Sequence, residues 1–266
     1  MSIEQSQVIE VRNATVVRGG TPVLIDADWS VKAGEHWFVL GRNGCGKSTL
    51  MGLVLANLWP RRGGSVEVLG QHYGKIDTRE MRKRIGWIGA DLVHSTKDLT
   101  LPINVVLSGF DASIGLYRES TPVEIEMARA KMADLGIGDL AEQAFGTLSA
   151  GEQMRVLIAR ATIHKPAILI LDEPCSHLDL PAREEFLDFI DDLVNQPDAP
   201  TLVQVTHRID DVSNTFTHGL VIKDGRVIAA GERRQVLTDD VLSEAYGLKV
   251  RLYEVADRFW PAVVRD

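Results

Sequence analysis

Residues 36–60 read HWFVLGRNGCGKSTLMGLVLANLWP, and this stretch restricts the fold more than any other. The apolar run HWFVL predicts a buried strand, and the residues from Lys47 to about Leu58 predict a helix stopped by Pro60. GRNGCGKST (41–49) joins them and matches G-x-x-x-x-G-K-[ST] through Gly41, Gly46, Lys47 and Ser48. Strand, glycine-rich loop and helix in this order suit a phosphate. The glycines let consecutive backbone N–H groups turn inward, and the helix N-terminus adds favourable partial charge. Arg42, Asn43, Gly44, Cys45 and Thr49 complete the expected phosphate-binding stretch. Lys47 is expected to reach the β- and γ-phosphates, and Ser48 to hold Mg²⁺.

Short runs rich in Val, Ile and Leu recur at AILIL (167–171) and TLVQV (201–205), as strands buried on both faces of a largely parallel sheet do. Over 182–194, Phe186, Phe189, Ile190, Leu193 and Val194 form an apolar stripe opposite Glu184, Glu185, Asp188, Asp191 and Asp192. Alternating strands and helices predict an α/β domain. Residues 8–34 and 63–70 alternate in polarity between glycine turns and suit an antiparallel sheet beside the main one. Residues 91–164 are mostly helical in pattern, and Asp224-Gly225 predicts a hairpin within 218–231. The tail from 232 reads as a helix followed by one short strand, RLYEV.

A net charge of -8 over 266 residues gives no general footprint for nucleic acid, and none is expected as a direct partner. The local run Arg79, Arg82, Lys83 and Arg84 reads as a solvated helix face. The two cysteines cannot frame a disulfide scaffold and fit a reducing compartment. Cys175-Ser176-His177 is too short and isolated to predict a metal site. The opening MSIEQSQVIEVRN has no basic region followed by an apolar one, and no apolar run approaches the ~20 residues that span a bilayer. The expectation is a soluble, cytoplasmic chain that meets a membrane only through a partner.

A second piece of chemistry lies at ILILDEP (168–174). The strand delivers Asp172 to its carboxyl end, where ligands sit in open α/β sheets. Asp172 suits the Mg²⁺ shell, and Glu173 suits polarising an attacking water. Alone, an Asp-Glu pair after a strand is more often a helix cap. A third piece, LSAGEQMRVLIARA (148–161), opens a long helix on the small residues Ser149, Ala150 and Gly151, followed by Glu152. Alone it is a capping box; its helix N-terminus is also an anion site.

The ordered series GRNGCGKS, LSAGEQ, ILILDEP, SHLD (176–179) and THR (206–208) resembles the nucleotide-binding cassette of the ABC ATPase superfamily over nearly the whole chain. That resemblance implies a P-loop NTPase (RecA-like) core with a mainly parallel sheet, an N-terminal antiparallel β subdomain and an inserted helical subdomain. Residues 1–90 and 165–235 would form the core, 91–164 the helical subdomain and 236–266 a C-terminal tail. It implies an Mg²⁺-dependent ATPase that closes as a dimer around two ATP. Ser149, Gly151 and Glu152 would meet the γ-phosphate held by the other cassette, Asp179 would couple the two sites, and His207 would contact the γ-phosphate as a switch. The motifs exclude an adenylate-kinase-like phosphotransferase. VVLSGFDASIGLY (105–117) and the tail resemble molybdate and iron-chelate importer cassettes, which implies an integral membrane permease as partner and a metal or metal chelate as cargo. The other reading is a soluble ABC ATPase acting as a mechanical switch in translation, repair or cluster assembly.

The chain departs from that family at several points. Arg18 stands where an aromatic usually stacks on adenine; a guanidinium plane can stack there or remain solvated. In RIGWIGADLVH (84–94) the family's metal-binding Gln falls on Ala90, and Asp91 beside it is either an acidic substitute or a surface aspartate. Cys45, before a helix N-terminus and near Lys47, is either a small residue that fits or a thiol of lowered pKa open to oxidation.

Overall fold

Strand β3 (Trp37–Leu40) is buried at every position, because neighbours flank it on both sides in parallel register. The computed structural model describes residues 6–73, 78–89, 92, 95–111, 115–196 and 198–265. Along the chain run β1 (Gln7–Arg18), β2 (Thr21–Lys32), β3, α1 (Lys47–Val54), β4 (Ser65–Val68), β5 (Gln71–His72), α2 (Thr78–Lys83) and β6 (Ile85–Ile88). Then come α3 (Pro102–Leu107), α4 (Pro122–Asp134), α5 (Ala150–Thr162), β7 (Ile168–Asp172) and α6 (Leu180–Val194). The chain ends with β8 (Thr201–Thr206), β9 (His218–Lys223), β10 (Arg226–Glu232), α7 (Arg233–Val236), α8 (Asp239–Tyr246), β11 (Val250–Val255) and β12 (Arg258–Val263).

The chain divides into two compact units: residues 1–78 with 201–266, and residues 79–200. In the first, β2, β1, β4 and β5 form an antiparallel sheet, as the alternating N-terminal pattern predicts. A second set of strands in this unit runs β10-β9-β3-β8, parallel except for the β9–β10 hairpin. That hairpin turns on Asp224 (φ 47) and Gly225 (φ 79), both in the left-handed region its tight turn requires. In the second unit β6 and β7 pair in parallel, and α5 packs on α3 and α6. The helical pattern of 91–164 yields α3, α4 and α5 together with short 3-10 turns. The chain is therefore α/β with mostly parallel pairing around the functional strands.

Helix α1 ends four residues before the expected Leu58, at Val54. Ala56 adopts φ 52, and Asn57 and Leu58 both return their N–H groups to the carbonyl of Gly52. A Cβ at Gly52 would lie 2.7 Å from Leu58 Cδ1, so the glycine makes room for Leu58 to fold back and end the helix. The tail also differs from expectation: RLYEV pairs with a second strand, β12, around a turn at Ala256 (φ 50) and Asp257 (φ 60). Alanine is an unusual left-handed residue and Pro261 argues against a strand, so neither announced this hairpin.

Candidate functional site

In the first unit, register places the phosphate-loop pattern. Leu40, the last residue of β3, lies opposite Thr206, the last of β8, so Gly41 and His207 leave adjacent strand ends. Parallel strands that end together carry their following loops to one edge, the usual place for a ligand. The loop is held by main-chain contacts. Cys45 N–H donates to Arg42 O at 3.2 Å, and Gly225 N–H of the β9–β10 turn donates to Cys45 O at 2.8 Å. Gly225 O in turn accepts from Ile25 N–H of β2 at 2.7 Å. Gly46 sits at φ +118, where a Cβ would come within 2.9 Å of Val23 O. Here glycine is required both by conformation and by the approach of another backbone.

Lys47 is buried, and its Nζ donates to Gly41 O at 2.7 Å and to Arg42 O at 3.3 Å. The ammonium thus lies folded over the loop's own carbonyls. Arg42, Asn43, Gly44 and Ser48 face solvent, while Gly41, Cys45 and Thr49 are buried. An exposed glycine-containing rim bearing the Ser48 hydroxyl, with a cation held inside, suits a polyphosphate, so these residues fit the nucleotide they were expected to hold. Burial pushes the Cys45 thiol up, against the smaller opposing pull of Lys47 and the local N–H groups. Of the two readings of Cys45, this favours the small residue that fits over the thiol of lowered pKa: desolvation outweighs the pull of Lys47 and the local N–H groups. Arg18 is exposed at the end of β1, and His207 is half-buried.

In the second unit, Ile88 lies opposite Leu171, so Gly89 and Asp172 leave the same end of the β6–β7 pair. A cavity of about 180 Å³ opens there, lined in part by Gly89, Gln153, Asp172, Glu173 and His177. Asp172 and Glu173 are half-buried. Glu173 adopts φ 55, and its carbonyl accepts from Ser176 N–H at 3.2 Å and from Ser176 Oγ at 2.9 Å. A left-handed glutamate is strained by roughly 1–3 kcal/mol, so the turn holds this side chain against its backbone preference. Asp91 and Ala90 lie outside the described residues.

Ser149 caps α5 in a full capping box: Glu152 N–H donates to Ser149 Oγ at 3.3 Å, and Ser149 N–H donates to Glu152 Oε2 at 2.8 Å. The cap explains Ser149 and Glu152 but not Gly151. A Cβ at Gly151 would meet only Ala182 Cβ, at 4.0 Å, so nothing in the fold demands glycine there. Asp179 is exposed and caps α6 through Ala182 N–H at 3.0 Å. Sequence reasoning missed Gly225 as a brace for the loop and His177 as a cavity wall. Asp224-Gly225 did signal a turn, but nothing in the sequence signalled what that turn would touch.

The family profile described as ABC transporter matches residues 24–176. ABC transporter ATP-binding protein YlmA of Bacillus subtilis is 35% identical over 252 residues, 94% of this chain and 95% of that one. The manganese transport system ATP-binding protein MntB of the same species is 31% identical over 239 residues, covering 90% and 92%. A metal-chelate type ABC transporter solved in an inward-facing conformation matches with a TM-score of 0.80 at 26% identity over 97% of each chain. With a glycine-braced phosphate loop in the first unit and an acidic strand end in the second, the chain belongs to the ABC transporter family, among its ATP-binding proteins.

Proposed function

We propose that this protein is the ATP-hydrolysing subunit of an importer for a metal or metal chelate, closing as a dimer around two ATP and driving a membrane permease. What supports it most is the loop Gly41–Thr49, whose braced glycines and inward Lys47 leave Gly41 and His207 at the same strand ends. Arg42, Asn43, Gly44, Cys45, Gly46 and Thr49 offer backbone N–H groups to the phosphates, and Lys47 exchanges loop carbonyls for the β- and γ-oxygens. Ser48 and Asp172 supply hard oxygen ligands suited to Mg²⁺, which when bound neutralises phosphate charge. Glu173 polarises the attacking water, and His207 meets the γ-phosphate. Ser149, Gly151 and Glu152 serve the ATP of the opposing cassette, Asp179 couples the two sites, and Arg18 stacks on adenine.

The cargo class draws support from the manganese transporter MntB, from the metal-chelate type transporter, and from the ferric enterobactin transport protein FepC of Escherichia coli, 29% identical over 231 residues. Among the described residues no helix is long and apolar enough to cross a membrane. A second reading, a soluble ABC ATPase without a permease, draws on Ala90 in place of the family's metal-binding Gln. Affinity purification from native membranes separates the two: recovery of a polytopic membrane protein is expected, and its absence would sink the importer reading. Glu173→Gln is expected to lower ATP turnover at least about 100-fold while ATP still binds. Turnover within a few-fold of wild type would remove Glu173 from the chemistry.

A further inference from the structure

The C-terminal tail grips the loop that carries His207. Tyr246, the last residue of α8, donates its hydroxyl to His207 O at 2.8 Å. Arg258, the first residue of β12, donates from Nη2 to Asp210 O, also at 2.8 Å. Both acceptors are main-chain carbonyls, so the contacts fix peptide planes rather than recognise side chains. The Tyr246 bond sets the plane between His207 and Arg208, directly after the Cα that bears the imidazole.

The same turn is held from the inside by the core strand. Arg208 N–H donates to Thr206 Oγ1 at 3.0 Å, and Thr206 Oγ1 donates to Asp211 Oδ2 at 3.2 Å. Gln204 Nε2 donates to Asp211 O at 2.9 Å. The strand therefore fixes both ends of the turn, and the tail fixes the peptides between them.

The tail is itself braced. Phe259 lies under the guanidinium groups of Arg233 and Arg234, at 5.5 Å and 5.8 Å from the ring centre. Glu254 pairs with Arg234 at 2.9 Å, and Arg258 stacks over Trp260 at 5.2 Å. Gly247 at φ 68 ends α8 immediately after Tyr246, so the tyrosine points from a closed helix end.

We propose that Tyr246 and Arg258 form a clamp on the 207–210 turn, with Tyr246 a positioning residue for His207 in ATP hydrolysis. The inference rests on the role assigned to His207 above. An unclamped turn would have to be ordered in every catalytic cycle, at a cost in backbone conformational entropy. The clamp supplies that order before nucleotide arrives, because none of its bonds involves a ligand. It also makes the tail, outside the family-matched span 24–176, a point from which hydrolysis can be tuned.

Tyr246→Phe keeps the ring and removes only the donor; Arg258→Gln removes the second contact without deleting the side chain. In nucleotide-free protein, amides 207–211 should exchange with solvent faster in both variants, with β3 and β9 unchanged. Turnover should fall about three- to ten-fold in Tyr246→Phe, the equivalent of one net hydrogen bond, with KM for ATP unchanged. Unaltered exchange at 207–211 in both variants would overturn the clamp, whatever the activity. Faster exchange with wild-type turnover would overturn the positioning role. A wild-type protein that hydrolyses no ATP would instead defeat the reading of the chain as an ATPase, and the exchange comparison would still decide the clamp.

Discussion

At Gly46 a single hydrogen in place of a methyl group decides whether the phosphate loop can form. Its φ of +118 disfavours any L side chain, and Val23 O leaves 2.9 Å for a Cβ. Gly46→Ala is therefore expected to destabilise the fold by roughly 1–3 kcal/mol and to abolish ATP binding. Calorimetric titration with ATP and a thermal melt check the two effects separately. Cys45 behaves in the opposite way to its sequence context. Burial raises its pKa, so the thiol should ionise at higher pH than an ordinary cysteine. Iodoacetamide should modify it more slowly than a free thiol at pH 7.5; faster modification would restore the reactive-thiol reading. The motif residues were legible because each belongs to a contiguous pattern. The state of Cys45 was not, because desolvation depends on Gly41, whose missing Cβ lets the Cys45 sulfur pack within 2.6 Å of where it would stand.

The helices illustrate how element ends are set. Thr121 caps α4 in a capping box with Glu124, and Pro122 starts its first turn. Thr121→Ala should cost about 1 kcal/mol of stability in denaturant titration. Glu124 also receives Arg118 through Nη1 at 2.9 Å, and that guanidinium together with the Thr121 N–H holds its carboxyl down at about 2. A depressed carboxylate stabilises the fold above its unfolded pKa and loses that contribution as pH falls through the folded value. The Arg118–Glu124 contribution should thus be complete above about pH 5 and fade toward pH 2. An NMR titration midpoint for Glu124 near that of an ordinary glutamate would contradict it. The strands HWFVL, AILIL and TLVQV and the Asp224-Gly225 hairpin were readable from apolar runs and turn chemistry. The early end of α1 and the β12 strand were not. The first depends on Leu58 packing into the space above Gly52, and the second on a turn through Ala256 and Asp257.

For the whole molecule, the proposed site residues fall in both compact units: Lys47 and His207 in one, Asp172, Glu173 and Ser149 in the other. If ATP is completed by an opposing cassette, turnover in dilute solution should rise with the square of protein concentration. A strictly linear rate from a monomeric preparation would exclude the shared site. By itself, the sequence determined the α/β class, the family, and the order and identity of the phosphate loop, acidic strand end and capped helix. Those depend on residues within a few positions of each other, where covalent geometry and backbone periodicity limit the outcomes. Only the tertiary structure decided that Gly225 braces Cys45, that Glu173 sits in a left-handed turn, and that Tyr246 holds the carbonyl of His207. Tyr246 and His207 are 39 positions apart, and no local preference encodes which backbone group a distant side chain will meet. That is settled when the strands and the tail pack and polar groups take the partners within reach.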